Sequence, residues 1–147
     1  MGYTHYWYQA PQLDQDTFAK AAGDCRTVCE KLDIPLADAD GRGNPVFGEE
    51  FIAFNGRGEH AYEGFIVDRL FSVESHDDPD EHGRYFDFCK TAHRPYDLAI
   101  QCCLIVLKHY FGDQFKVKSD GEQADWAPAM EACQAALGFG QDFKLGT

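Results

Sequence analysis

Eight polar or charged residues stand inside or beside apolar segments of this 147-residue chain, where burial of their side chains would have to be compensated. Carboxylate, amine and imidazole groups that meet in one cleft can transfer protons or hold a polar ligand. The sequence therefore predicts a candidate pocket at one end of a sheet. Its predicted residues are His5, Asn55, Glu63, Arg69, Lys90, Asp97, His109 and Asp120.

The same residues also have structural interpretations. Glu63 could form an ion pair with Arg69 or Lys90. Asp97 lies in the first turn of a predicted helix, where a carboxylate satisfies free amides, and His109 lies in its last turn, where the helix dipole favours a cation. Both interpretations stay open at the level of the sequence.

One glycine-rich segment partly matches a calcium-binding loop. Asp38, Asp40, Gly43 and Glu49 fit positions 1, 3, 6 and 12 of that motif. Arg42, however, falls at position 5, where the motif needs an oxygen ligand. The segment therefore predicts an ordinary turn, and its glycines lack the spacing of a nucleotide-binding loop.

A second segment, residues 72–83, is an acidic surface loop between apolar runs. It crowds His76, Asp77, Asp78, Asp80, Glu81 and His82 into seven positions. A loop without a fixed backbone makes a poor preformed metal site, so a solvated loop is favoured. We predict neither a metal site nor a cofactor.

The elements that must position these residues follow from hydrophobic periodicity. Strands are predicted over 3–9, 50–55, 62–69, 85–91 and 115–119, and helices over 18–32, 95–111 and from residue 125 to Gly138. The second helix is apolar almost all round and is therefore expected to be buried. The order β-α-β-β-β-α-β-α predicts one α+β domain over 1–147, with an antiparallel or mixed sheet of about five strands. Residues 34–48 are predicted to form a loop.

Composition limits the function classes. With 13 Lys and Arg against 25 Asp and Glu, the formal charge is −12, which disfavours nucleic acid as a partner. The longest apolar run, Cys102 to Leu107, is too short to span a membrane, and the N-terminus lacks the pattern of a signal peptide. The six cysteines, at mostly apolar helical positions, indicate reduced thiols. A cytoplasmic location without membrane partners is therefore expected.

Several short segments are similar to parts of short bacterial and phage proteins that carry no assigned function. They include GYTHYW from Gly2, FCKT followed three residues later by PYD, and SDG followed four residues later by Trp126. The resemblance implies a bacterial or phage origin and transfers no activity, cofactor or site residue.

Three functions are compatible with these features. The first is an accessory protein that binds a protein partner or a small ligand in the predicted pocket. The second is a small hydrolytic or nucleotide-modifying enzyme that uses Glu63, Lys90, Asp97 or His109 for proton transfer. The third is an acidic decoy that mimics nucleic acid. The tail over 138–147 carries Phe139, Phe143 and Leu145, which need cover from the same chain or from a second copy, so a homo-oligomer stays open.

Overall fold

A computed structural model describes residues 2–146, so the two terminal residues of the predicted domain and tail lie outside the described part. It has the predicted α+β architecture with three helices, and its strands form two small antiparallel sheets. The strands are β1 (Thr4–Gln9), β2 (Leu36–Ala37), β3 (Val46–Phe47), β4 (Phe51–Gly56), β5 (Phe65–Asp68), β6 (Tyr85–Lys90) and β7 (Phe115–Ser119); the helices are α1 (Gln15–Leu32), α2 (Asp97–Phe111) and α3 (Ala127–Leu137).

The first sheet has β1 in the middle, paired antiparallel with β6 on one side and with β7 on the other. Alternation along each strand sends successive side chains to opposite faces. Trp7, Cys89 and Val117 face the core and are buried, whereas Phe86 and Phe88 face outward and are 45% and 49% exposed. One face of this sheet therefore covers the core and the other meets solvent.

The second sheet is organised around β4, with which β2, β3 and β5 each pair antiparallel. Strands β4 and β5 correspond to the strands predicted over 50–55 and 62–69 and pair with each other antiparallel. The two sheets are linked by Gln9, a buried residue whose Nε2 donates to the Asp68 carbonyl oxygen at 2.8 Å.

Helix α2 lies at the centre of the core, as its apolar sequence predicts. Ten of its 15 residues are buried, and it packs against α1, α3 and β7. The α1 helix begins after Asp14, whose carboxylate accepts the Thr17 N–H at 3.0 Å. Helix α2 ends at Phe111, as predicted, and Gly112 is its C-cap. Among residues 2–146, no helix is both long and apolar enough to cross a membrane.

Several details of the prediction are wrong. The described residues form seven strands in two sheets, not about five in one, and β2 and β3 form inside the predicted loop over 34–48. Each has only two residues and exists through its pairing with β4, which no local periodicity reveals. The third predicted strand is shorter, so Glu63 and Arg69 lie outside it. The last helix starts at Ala127, after a 3-10 turn over Gln123–Trp126.

The C-terminal tail is covered by its own chain. Phe139 stacks on His109 with ring centroids 3.7 Å apart, and Phe143 stacks on Trp126 at 5.1 Å. The Gly146 N–H donates to the Val117 carbonyl oxygen at 2.8 Å. The apolar residues of the tail therefore need no second copy for their burial.

All six cysteines are free and buried. Burial raises the pKa of Cys25 above its ordinary value, because the thiolate would be desolvated. The prediction of reduced, buried thiols is confirmed.

Candidate functional site

One end of the first sheet gathers most of the chemically capable residues. Strand β1 starts there, whereas β6 and β7 end there, and the register places Thr4 opposite Lys90 and His5 opposite Ser119. The N-terminus of α2 brings Asp97 to the same end. The antiparallel pairing thus unites segments more than 80 residues apart in the chain.

His5 is the centre of this strand-end cluster and is fully buried. Its Nε2 lies 2.7 Å from Asp97 Oδ1, and its Nδ1 lies 2.8 Å from Ser119 Oγ. The Thr91 hydroxyl donates to the same Asp97 oxygen, and the Gly121 N–H donates to Ser119 Oγ at 2.9 Å. Every polar atom of the imidazole is therefore satisfied, as burial demands.

Aromatic rings enclose the imidazole of His5. Tyr3 and Trp126 meet it edge-on, at ring-centroid distances of 5.1 and 5.0 Å. The ring of Tyr3 also stacks on the exposed ring of His93, with the two ring centroids 3.7 Å apart. Ala92 and His93 both have left-handed backbone, with φ of 52° and 58°, which costs roughly 1 kcal/mol or more for each residue. This strained backbone places His93 over the cluster. Backbone strain of this kind is common at functional sites.

Asp120, Lys90 and Glu63 lie at the rim of the cluster. Asp120 accepts the Thr4 N–H at 3.0 Å and the Tyr6 hydroxyl at 2.8 Å, and that hydrogen bond raises the pKa of Tyr6 above its ordinary value. The Lys90 N–H donates to the Glu63 carboxylate at 2.8 Å. The structure thus brings together five of the eight predicted residues: His5, Glu63, Lys90, Asp97 and Asp120.

The other three predicted residues do not join the cluster. Asn55 serves the second sheet, where its amide donates to the carbonyl oxygens of Ala39 and Tyr62 and its Oδ1 accepts two backbone N–H groups. Arg69 forms an ion pair with Glu50 at 3.0 Å. His109 lies at the opposite end of α2 from Asp97, about 18 Å away at 1.5 Å per residue. The predicted acid/base set of Glu63, Lys90, Asp97 and His109 therefore cannot act on one substrate.

The described residues hold no group of three or more His, Cys, Asp or Glu side chains arranged to bind a metal ion. In the glycine-rich segment, the Asp38 carboxylate accepts backbone N–H groups of Asp40, Arg42 and Gly43. These bonds lower the pKa of Asp38 below its usual range. In the acidic loop, Asp80 is paired with Arg84 at 2.8 Å.

The outer face of the first sheet is a second candidate site, which the search for polar residues in apolar strands missed. We call it the outer aromatic face, formed by Tyr6 and Tyr8 of β1, Phe86 and Phe88 of β6, and Lys116 and Lys118 of β7. The rings of Tyr6, Tyr8 and Phe88 all lie within 6 Å of the Phe86 ring, measured between centroids. The signal in the sequence that could have predicted this face is the presence of aromatic residues at every second position of two strands.

This face forms a shallow cavity and carries positive charge. The cavity has a volume of about 250 Å3 and is lined by Tyr6, Tyr8, Phe86, Lys118 and Ser119. The Lys116 amine lies 5.7 Å from the centre of the Tyr8 ring, within the range of a cation–π contact. In the described strands, the outward positions over 4–8, 86–90 and 116–118 hold three lysines and no acid. Asp120, which follows β7 at the edge of this face, accepts the Tyr6 hydroxyl, and Asp87 points to the opposite side of the sheet.

A further cavity of about 320 Å3 lies between the end of α2 and the tail, and includes His109. Its charges are mixed, because Lys108 and Lys144 share the lining with Asp142. The Lys108 amine already donates to the Gly112 carbonyl oxygen at 2.9 Å. An acidic side chain thus lies in the lining of this cavity, whereas Lys118 is the only charged residue that lines the cavity of the outer aromatic face among the described residues.

No protein-family model, curated protein or solved structure matches this chain. The function must be argued from these two sites alone.

Proposed function

We propose that the protein binds a small ligand of the nucleoside monophosphate class, with a planar base and an anionic phosphate, on its outer aromatic face. One observation carries this proposal: exposed aromatic rings that stack on one another lie beside lysines on the same face of a sheet, although the chain as a whole is acidic. All six cysteines are free thiols, which supports a reducing compartment such as the cytoplasm for this binding.

The chemistry of the face supports both parts of such a ligand. A base stacked on an aromatic side chain contributes about 1–3 kcal/mol of binding free energy. A hydrogen bond from a lysine ammonium to a phosphate oxygen contributes about 1.5–3 kcal/mol. After the entropic cost of association, we expect a Kd on the order of 0.1–1 mM.

The net charge favours a mononucleotide over a nucleic acid. A monophosphate carries its charge within reach of Lys116 and Lys118, whereas a polyanion extends beyond the face and meets a chain with a formal charge of −12. A symmetric dimer through this face is also disfavoured, because it would bring two lysine-bearing surfaces together.

The test is a titration of the labelled protein with AMP, adenosine and inorganic phosphate, followed by NMR. We expect saturable shifts of β1, β6 and β7 amides with AMP, and weaker binding of adenosine and of phosphate alone. Lys118→Gln should weaken AMP binding about tenfold and leave adenosine binding nearly unchanged. Phe86→Ser should weaken the binding of both.

Lys108→Gln, which changes a lysine of the other cavity, is the matched control and should bind AMP as the wild type does. Shifts centred on His109, or equal effects of the two lysine variants, would overturn the proposal. So would an oligonucleotide that binds more than tenfold tighter than AMP with a steep dependence on salt, since this would identify nucleic acid as the ligand.

A further inference from the structure

We propose that the strand-end cluster is a hydrolytic centre for carboxylic esters, with Ser119 as the nucleophile, His5 as the general base and Asp97 as the residue that positions His5. This inference rests on the hydrogen bonds of the strand-end cluster and does not require a ligand at the outer aromatic face, although Ser119 also borders the cavity of that face.

The hydrogen-bond partners fix the tautomer of His5. An ionised carboxylate only accepts hydrogen bonds, so Asp97 requires the proton of the neutral imidazole on Nε2. Nδ1 then carries the lone pair, and it faces Ser119 Oγ at 2.8 Å.

The same logic fixes the proton of Ser119. Its Oγ already accepts the Gly121 N–H at 2.9 Å, so the hydroxyl hydrogen is free to point at His5 Nδ1. The result is a series of hydrogen bonds in which the Ser119 hydroxyl donates to the imidazole and the imidazole donates to the Asp97 carboxylate. This arrangement activates a serine nucleophile.

The surrounding structure fixes the positions of Ser119, His5 and Asp97. His5 and Ser119 are direct partners in the β1–β7 ladder, which fixes their separation. Thr91 donates a second hydrogen bond to Asp97 Oδ1. His5 is fully buried, whereas Ser119 keeps part of its surface exposed and also lines the cavity of the outer aromatic face. The base is thus shielded from water while the nucleophile residue stays at the surface.

The reaction balances with water as the only co-reactant. Ser119 Oγ bonds to the carbonyl carbon of the ester as its proton moves to Nδ1, and the bond to the leaving alkoxide breaks as that proton is returned to it. Water then gives a proton to Nδ1 as its oxygen bonds to the acyl carbon. The bond between that carbon and Ser119 Oγ breaks as the proton passes from Nδ1 to Oγ, which releases the acid and restores the Ser119 hydroxyl.

The nucleophile is tested with a fluorophosphonate probe and peptide mapping. We expect one adduct per chain, on Ser119, and its loss in Ser119→Ala. The control Ser72→Ala changes an exposed serine of the acidic loop and should react as the wild type does. Hydrolysis of p-nitrophenyl acetate above the buffer rate should fall at least tenfold in Ser119→Ala only. No adduct on Ser119 of the folded protein, or equal labelling of other serines, would overturn the proposal.

The role of Asp97 has a readout that does not depend on activity. Nitrogen NMR of His5 should show a protonated Nε2 and an unprotonated Nδ1 in the wild type. Asp97→Asn can donate to Nε2, which reverses the tautomer and should slow probe labelling about 100-fold. Labelling at the wild-type rate in a folded Asp97→Asn variant would refute the relay. If that variant does not fold, the tautomer of His5 in the wild type is the test, and a neutral His5 with its proton on Nδ1 would refute the relay.

Discussion

Asp87 offers a quantitative test of the way the first sheet buries its inner face. It lies on β6 between Phe86 and Phe88 but points to the opposite side, in register with the buried Trp7. Desolvation by burial is the main cause that raises the pKa of Asp87 from 3.8 to about 6; nearby Asp68 and Asp77 add to it. The Phe88 N–H donates to its carboxylate at 2.8 Å and opposes this shift.

The sign of the effect on stability follows from proton linkage. The native protein holds the Asp87 proton more tightly than the unfolded chain does, so the contribution of Asp87 to the free energy of unfolding falls as pH rises from about 4 to about 6. The difference of about 2 pKa units corresponds to about 3 kcal/mol for a fully buried group. Because Asp87 is only partly buried, we expect about 1–2 kcal/mol.

Asp87→Asn removes the charge and keeps an oxygen that can accept the Phe88 N–H. The variant should match the wild type in stability near pH 4 and exceed it by about 1–2 kcal/mol above pH 7. Urea denaturation at several pH values measures this difference, with Asp78→Asn in the exposed acidic loop as the control. A difference that is the same at pH 4 and pH 7, or a less stable variant at pH 7, would refute the reasoning.

Two further substitutions test the packing around the strand-end cluster. Gly121→Ala places a methyl group against the Tyr3 hydroxyl oxygen, and the overpacking should lower the free energy of unfolding by about 1–3 kcal/mol in a urea melt. An unchanged midpoint would show that Tyr3 does not pack there. Phe143→Ala removes the ring stacked on Trp126 and should cost about 3–5 kcal/mol. A loss below about 1 kcal/mol would mean that the tail does not cover the core.

The candidate sites show how far sequence reasoning reaches. It identified His5, Asp97 and Asp120 as polar groups that needed partners, because burying an unsatisfied polar group is costly in any fold. It missed Ser119, whose role depends on the ladder partner across β1 and β7. It also grouped His109 with Asp97, although the length of α2 separates them.

Which face of β6 is buried could not be predicted from the local sequence, for a related reason. Lys90 shares a face of β6 with Phe86 and Phe88, whose hydrophobicity favours burial, but that face of the sheet is exposed. Tyr85, Asp87 and Cys89 occupy the inner face instead, so hydrophobicity alone points to the wrong side. The charge of −12 likewise describes the whole chain and conceals a face with three lysines and no acid.

The sequence by itself determined the α+β class, the buried second helix and the reduced cysteines, because periodicity and composition act over neighbouring residues. Only the tertiary structure decided which face of each strand met the helices and which polar groups became partners. Those choices depend on the pairing of strand residues that are up to 114 positions apart, as in the pair His5 and Ser119, and no local pattern encodes that pairing.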